Sequence, residues 1–417
     1  MKSLIINTKD IQSGSARAAH RLHCGLIEAG INSQMLVQQK SSDESAVLPP
    51  KTKLQKAIAK LKPTLDALPL SLYSQRERTP YSVQWFPDSV TSRIKQIDPD
   101  IVNLHWINWG FVQIETLAKL NKPLVWTLHD MWAFTGGCHY NRECDRYNSS
   151  CGACPQLQSN KEKDLSRWIW QRKAKAWQNL NLTIVTPSHW LAECARASSL
   201  FRDYPIKVIP NGIDIQRYKP LDRPLVKELL GLPPNKQLIL FGAVSATSDT
   251  RKGFHLLIPA LQKLGHSALR ERVELVVFGS SQPKDTPDFG LNVRYLGRLN
   301  DDISLALLYA AADIFIAPSI QDNLPNTIME ALACGTPCVA FDVGGIPDMI
   351  EHQKNGYLAR PFEVEDLTRG ILWLLENGDR YSQLANRARQ KVEQEFTVRI
   401  QSQKYLNLYQ QMLSDSK

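Results

Sequence analysis

Two adjacent cations, Arg251 and Lys252, stand directly before Gly253 and an apolar segment with helical spacing. A helix N-terminus carries the positive end of its dipole and disfavours cations, so the pair is expected to face an anion. Arginine grips phosphate bidentately and lysine acts as a point charge, which together suit a diphosphate. Residues 318–337 then read as strand end, polar loop, helix N-terminus, helix, glycine stop and next strand. Asp322 lies in that loop and Glu330, eight residues later, inside the helix. Glu330 is flanked by Ile328, Met329, Ala331 and Leu332, and a carboxylate in apolar company needs a partner. Asp322 can face ligand hydroxyls and Glu330 can accept from a diol; the plainer readings are a turn or cap residue and a surface helix position. A third segment, Ser13-Gly14-Ser15-Ala16-Arg17, follows the first apolar run and opens a helical pattern. Gly14 would let a ligand approach the backbone, and a tight turn is the alternative. His129 ends a predicted strand, 124–128, and precedes Asp130, which puts it at a carboxyl strand end where ligands collect in open α/β sheets. His105 follows another strand end and is the weaker candidate, while Trp106, Trp109 and Trp132 offer stacking faces or core.

These residues need a scaffold of alternating strands and helices. Apolar runs at 3–6, 101–104, 124–127, 183–186, 238–241, 274–278, 314–317 and 337–340 alternate with helical patterns that include 16–29, 303–311 and 326–333. That alternation predicts an α/β chain with parallel sheets covered on both faces. At 417 residues and 47.2 kDa the chain exceeds one core. The polar stretch Arg202-Asp203-Tyr204-Pro205 divides it into 1–203 and 204–394. Residues 395–417 form a last helix carrying Phe396, Ile400, Tyr405, Leu408 and Met412, which must pack on something. Asp98-Pro99-Asp100 precedes a strand and reads as a turn rather than a metal-binding pair.

With 43% hydrophobic and 22% charged residues, a disordered or fibrous chain is excluded. No run approaches the roughly 18 uncharged apolar residues of a membrane span, and MKSLIINTKD reads as a strand rather than a signal peptide, so a cytoplasmic location is expected. The net charge of +9 belongs wholly to residues 1–200, with 25 basic against 16 acidic side chains. Residues 51–62 hold five lysines and no acid, with Leu54, Ile58 and Leu61 on one helical face. Such a segment can lie on an anionic membrane surface or receive an anionic substrate, or be a solvated helix or loop. No nucleic-acid-binding motif is present.

Four of the eight cysteines, Cys138, Cys144, Cys151 and Cys154, fall within 17 residues in the spacing C-x5-C-x6-C-x2-C. The last pair is a common half-site for tetrahedral zinc. Structural zinc, a redox or iron–sulfur role and unliganded thiols are the readings, two disulfides being disfavoured in a reducing compartment. Cys24, Cys194, Cys334 and Cys338 lie among apolar neighbours and read as core.

Taken in order, the Gly14 loop, His129-Asp130, Thr186-Pro187-Ser188, Val208–Asp214, Arg251-Lys252-Gly253, Phe278-Gly279, Tyr295-Leu296-Gly297 and the 318–337 run resemble a GT-B retaining glycosyltransferase of family GT4. The chain is most similar to the exopolysaccharide and colanic-acid-type branch with a cysteine-rich segment. The resemblance implies two Rossmann-like domains facing across a cleft, the first for the acceptor and the second for a nucleotide-sugar, with the last helix packing back on the first. It implies that Arg251 and Lys252 hold the donor diphosphate and that Glu330 holds the ribose. Gly279, Arg298, Asn323, Leu324, Asn326 and Thr327 would line the donor site. From the first domain His129 would sit by the donor sugar, and Gly14 and Ser15 would approach the phosphates. The family usually has Glu at the first acid; Asp322 is one methylene shorter, which alters the sugar contact. The implied reaction is transfer from a UDP- or GDP-sugar to a glycan or lipid-linked acceptor without a catalytic metal, in the cytoplasm or peripherally at the inner membrane face. A GT-B nucleotide-sugar epimerase and a non-catalytic nucleotide-sugar-binding module are the alternatives.

Overall fold

The computed structural model describes residues 1–242, 249–283, 286–299 and 301–415. Two compact units emerge, one formed by residues 1–210 with the chain from 401 onward, the other by residues 211–400.

The first unit runs β1 (Lys2–Lys9), α1 (Gly14–Glu28), β2 (Asn32–Gln39), β3 (Val47–Leu48), α2 (Lys53–Ala67), α3 (Val90–Ile97), β4 (Ile101–Leu104), β5 (Leu124–Thr127), α4 (Leu165–Ala176), β6 (Leu182–Thr186), α5 (His189–Ala197) and β7 (Ile206–Val208). Its seven strands are all parallel, in the order β3-β2-β1-β4-β5-β6-β7. β4, β5 and β6 are buried at every position, as expected of parallel strands covered on both faces. The division falls after Pro210 rather than after residue 203 because β7 pairs with β6, Ile184 opposite Ile206, and completes the first sheet.

The second unit runs α6 (Arg223–Leu229), β8 (Gln237–Gly242), α7 (Phe254–Gly265), β9 (Val273–Phe278), β10 (Asn292–Tyr295), α8 (Asp302–Ala311), β11 (Ile314–Ala317), α9 (Asn326–Ala333), β12 (Cys338–Phe341), β13 (Gly356–Ala359), α10 (Val364–Leu375) and α11 (Gly378–Glu395). Its six parallel strands take the order β10-β9-β8-β11-β12-β13. Two cores flank this sheet, one around Tyr309, Phe315 and Ile328, the other around Phe241, Leu261 and Phe341.

The last helix, α12 (Val398–Asp415), begins three residues later than the sequence pattern suggests. Phe396 is not on it: its carbonyl accepts from the Ile213 amide at 2.8 Å and its ring joins the core of the second unit. From residue 401 the helix belongs to the first unit. Tyr405, Leu408, Tyr409 and Met412 pack with Ile5, Leu22, Met35 and Val125. Tyr405 and Tyr409 are fully buried and place their hydroxyls 2.8 Å from Thr127 Oγ1 and Asn103 Nδ2 respectively. No helix among the described residues is long and apolar enough to cross a membrane. Tyr409→Phe leaves the buried Asn103 amide without its acceptor, so a loss of about 1–3 kcal/mol in urea unfolding is expected; an unchanged midpoint would show that the helix is held by apolar packing alone.

Candidate active site

Each sheet reverses its winding direction once, between β1 and β4 in the first unit and between β8 and β11 in the second. Crevices at the carboxyl ends of strands form at such points.

In the second unit the segments after β8 and β11 come together there. Residues 243–248, between β8 and the Arg251-Lys252 turn in the sequence, lie outside the described residues. The segment Thr250–Lys252 is a single 3₁₀ turn whose N-cap, Asp249, accepts from the Arg251 amide at 3.0 Å. The turn ends at Gly253, which has φ +69° and opens α7. A Cβ at Gly253 would collide with the Pro318 carbonyl oxygen, so the close approach of these two loops requires glycine. The Arg251 carbonyl accepts from the Ile320 amide at 2.8 Å. Side chains follow: Lys252 Nζ lies 2.6 Å from Asp322 Oδ2, and Arg251 Nη2 lies 2.7 Å from Asp249 Oδ2.

Asp322 is 7% exposed. Burial pushes its carboxyl up, but Lys252 and then Arg251 outweigh that and hold it below the ordinary carboxylate range. Its second oxygen accepts from the Asn323 amide at 3.0 Å, and its carbonyl accepts from Gly345 at 3.1 Å. Asn323 and Leu324 are buried; Asn326 and Thr327 open α9 and are half-buried. Glu330 is buried, not a surface helix residue, and Tyr309 donates to its Oε2 at 3.2 Å. The Gly279 amide is engaged with the Gly297 carbonyl at 2.7 Å, and Arg298 is exposed beyond β10.

In the first unit Ser13 caps α1, its Oγ accepting from the Ala16 amide at 3.2 Å, with Ser15 Oγ a further 3.2 Å away. Gly14 is the first residue of the helix. Asp10 accepts from the Ser41 and Ser42 amides at 2.7 Å each and fixes the preceding loop. The ends of β4 and β5 supply His105 and His129, whose Nδ1 and Nε2 atoms are 2.9 Å apart with the rings stacked. Burial lowers the His129 pKa to about 4, Asp130 opposing it; burial and then His129 hold that of His105 well below the ordinary imidazole value, so both imidazoles are neutral at pH 7. Asp130 Oδ2 takes His139 Nδ1 and Trp106 Nε1, each at 2.7 Å, and its Oδ1 accepts from the Trp132 amide at 2.9 Å. Trp132 is core; Trp109 is partly exposed at φ +58°.

Cys138, Cys144, Cys151 and Cys154 line one small cavity. Cys334 and Cys338 are buried as expected, whereas Cys24 and Cys194 are only partly buried, Cys24 lying against His20. The sequence reading missed Tyr309, the Asp130–His139 pair and Gly344-Gly345. The first shows itself only as an apolar helix position, and the second joins residues nine apart through a loop without periodicity. Gly344 was legible, since it follows a strand as a Gly-Gly pair: at φ +57° it abuts the Asp322 carbonyl, where a Cβ would clash.

The Glycosyl transferases group 1 family profile matches residues 235–377, and the Glycosyltransferase Family 4 profile matches residues 12–217. This chain is a GT-B glycosyltransferase of family 4. Its relatives include an uncharacterized glycosyltransferase of Methanocaldococcus jannaschii, 24% identical over 73% of this chain and 81% of its own. The putative colanic acid biosynthesis glycosyl transferase WcaC of Escherichia coli is 27% identical over 61% of each chain. A GDP-mannose-dependent phosphatidylinositol monomannoside mannosyltransferase of Corynebacterium glutamicum is 28% identical over 52% of this chain and 59% of its own. The fold matches sucrose-phosphate synthase from Thermosynechococcus elongatus (TM-score 0.72, 17% identity, 100% of both chains). It also matches Anabaena HepE in complex with UDP-glucose (TM-score 0.65, 18% identity, 100% of both chains). These matches favour the transferase over the epimerase and binding-module alternatives.

The neutral histidine pair sets a pH dependence. A histidine with a lowered folded-state pKa binds fewer protons folded than unfolded, so its contribution is complete above about pH 6.5 and is lost as pH falls towards 4. Thermal midpoints of this glycosyltransferase should therefore fall between pH 6.5 and 5, and His105→Gln/His129→Gln should fall less steeply; parallel curves would overturn the neutral pairing.

Proposed function

We propose that this glycosyltransferase carries a nucleotide-sugar on its second unit, with the diphosphate held by Arg251 and Lys252, and transfers the sugar with retention of configuration. The observation that carries this reading is the pair of cations on the turn Thr250–Lys252, each already held against a carboxylate at the switch point of the sheet. A diphosphate would exchange for those carboxylates, freeing Asp322 to face the sugar hydroxyls while the cations take the more highly charged partner. Glu330, buried and oriented by Tyr309, would accept from the ribose diol. Asn323, Leu324, Asn326 and Thr327, at and before the N-terminus of α9, would lie against sugar and phosphate. Gly279 and Arg298 stand at the ends of neighbouring strands and would complete the nucleotide contacts. UDP and UDP-glucose are bound by the HepE structures of the same fold, and GDP-mannose names the donor of the Corynebacterium relative, so UDP- and GDP-sugars are the donor classes to test.

Transfer on the face the nucleotide leaves needs no protein nucleophile. The acceptor oxygen bonds to the anomeric carbon as the bond to the β-phosphate breaks, and the acceptor's proton passes to the departing phosphate oxygen. Arg251 and Lys252 stabilise the charge that develops there, a role that a divalent ion fills elsewhere. In the first unit Gly14 and Ser15 at the start of α1, and the neutral His129 aligned by His105, are the residues proposed to take part in the transfer.

The acceptor is proposed to be a glycan or lipid-linked sugar, taken at an anionic membrane face. On α2, Lys53, Lys56 and Lys60 are exposed together with Leu54 (70%) and Leu61 (58%), and Lys51 lies just before it. Beside it a cavity of about 300 Å³ is lined by Leu36, Ile58, Phe86, Val90 and Phe111 with Lys62 and Arg93, chemistry that suits an acyl or prenyl chain under an anionic headgroup.

Three experiments test this. Arg251→Ala should lower transfer by about 10²–10³ with an unchanged thermal midpoint; Lys252→Ala strands the buried Asp322 and is read beside its own midpoint. Of UDP and GDP at 100 times the dissociation constant, one should stabilise the wild type by about 2.7 kcal/mol and leave Arg251→Ala unmoved; equal shifts in both proteins would move the phosphate site elsewhere. For the membrane, replacing Lys51, Lys53, Lys56 and Lys60 by Gln should weaken binding to phosphatidylglycerol vesicles by about 10³-fold, at about 1 kcal/mol per lysine. Unchanged vesicle binding would remove the membrane role of α2.

A further inference from the structure

We propose that Cys138, Cys144, Cys151 and Cys154 bind one zinc ion as a structural tetrathiolate site in the first unit. Separate turns bring the four side chains to the lining of one cavity. Cys138 is held by an antiparallel bridge to Tyr81, and Cys144 closes a turn in which its amide donates to the Asn141 carbonyl at 3.0 Å. Cys151 and Cys154 flank Gly152 at φ +148° and Ala153 at φ +42°. Positive φ at two successive residues, one of them alanine, costs free energy and is kept where the turn has a task. All four cysteines line one cavity of about 20 Å³. That is enough room for a single ion.

Backbone amides approach two of the four sulfurs. The Gly136 amide donates to Cys151 Sγ at 3.1 Å, and the amides of Leu157 and Gln156 are directed at Cys154. Lys173 is fully buried: its Nζ donates to the carbonyl oxygens of Trp132 and Thr135 and lies 3.6 Å from the centre of the Trp132 ring. None of those partners is anionic, and an ammonium buried without counter-charge is costly.

Among the described residues, the group whose ligating atoms all lie within 4.8 Å of one another is His20, Cys24 and Glu44. There a single imidazole stands between the other two, with Nε2 2.8 Å from Glu44 and Nδ1 3.8 Å from Cys24, which is a hydrogen-bonded chain on a partly exposed face. No three sulfurs of the cysteine group lie within 4.8 Å of one another, and binding of an ion would draw them together. Soft thiolates around a site for one ion select zinc over magnesium or calcium. The ion would act on the site through position: Cys138 precedes His139, whose carbonyl accepts from the Met131 amide at 2.9 Å and whose ring holds Asp130.

The test uses the full chain purified under reducing conditions without chelator. Elemental analysis is expected to give about one zinc per chain, and X-ray absorption four sulfur neighbours at about 2.3 Å. Cys138→Ser and Cys151→Ser should each lose most of the metal, whereas Cys24→Ser should keep it. Less than about a tenth of an equivalent of any metal in the wild type would overturn the site; thiol titration then distinguishes free cysteines from disulfides. Iron in place of zinc, oxygen or nitrogen neighbours, or zinc lost in Cys24→Ser alone would overturn it equally.

Discussion

A parallel sheet has to be covered on both faces by its own crossover helices, and that requirement organises each unit of this glycosyltransferase. The winding must turn back once so that helices reach the second face, and the adjacent strands at that point diverge into separate connections. In the first unit the gap falls between β1 and β4, in the second between β8 and β11. Asp10, Ser13, His105, Arg251, Lys252 and Asp322 stand on loops or turns reached from the strands at those gaps. The loops are free to carry ligand-facing groups because their strands, buried at nearly every position, carry the stability.

Within that frame the electrostatics of the second unit are arranged around charge balance. Arg251 and Lys252 are half-buried and each is held by a carboxylate, so neither cation is stranded before a ligand arrives. The cost of desolvating a diphosphate is then offset by a site whose dipoles and loops are already fixed: Gly253 against Pro318, Gly344 against Asp322, and the Arg251 carbonyl tied to Ile320. The first unit uses neutral polarity instead. Its two stacked imidazoles are uncharged, and the negative Asp130 is consumed by Trp106, Trp132 and His139.

Strand existence and the helix over 326–333 were legible because buried parallel strands are continuous apolar runs and because the stop at Gly335 is local chemistry. Arg251 and Lys252 stood out because cations before a helix contradict its dipole. Domain boundaries were less legible, since β7 is three residues long and only its pairing with β6 assigns it to the first sheet. α11 escaped notice altogether: three of its eighteen residues are buried, too few to mark a face in the sequence. Partnerships across long separations, Tyr309 with Glu330 or Asn103 with Tyr409, leave no periodic trace, because the sequence records that a group is buried but not what meets it.

The passage of α12 from one unit to the other between residues 400 and 401 has a consequence for synthesis on the ribosome. The sheet that is translated first lacks Tyr405, Leu408, Tyr409 and Met412 until residues 405–412 are made, and its face around Ile5, Leu22 and Val125 stays open meanwhile. The unit translated second has all of its own residues as soon as Ile400 emerges. The earlier-made half is thus the later to close, and for that interval it presents nascent apolar surface of the kind that trigger-type chaperones shield.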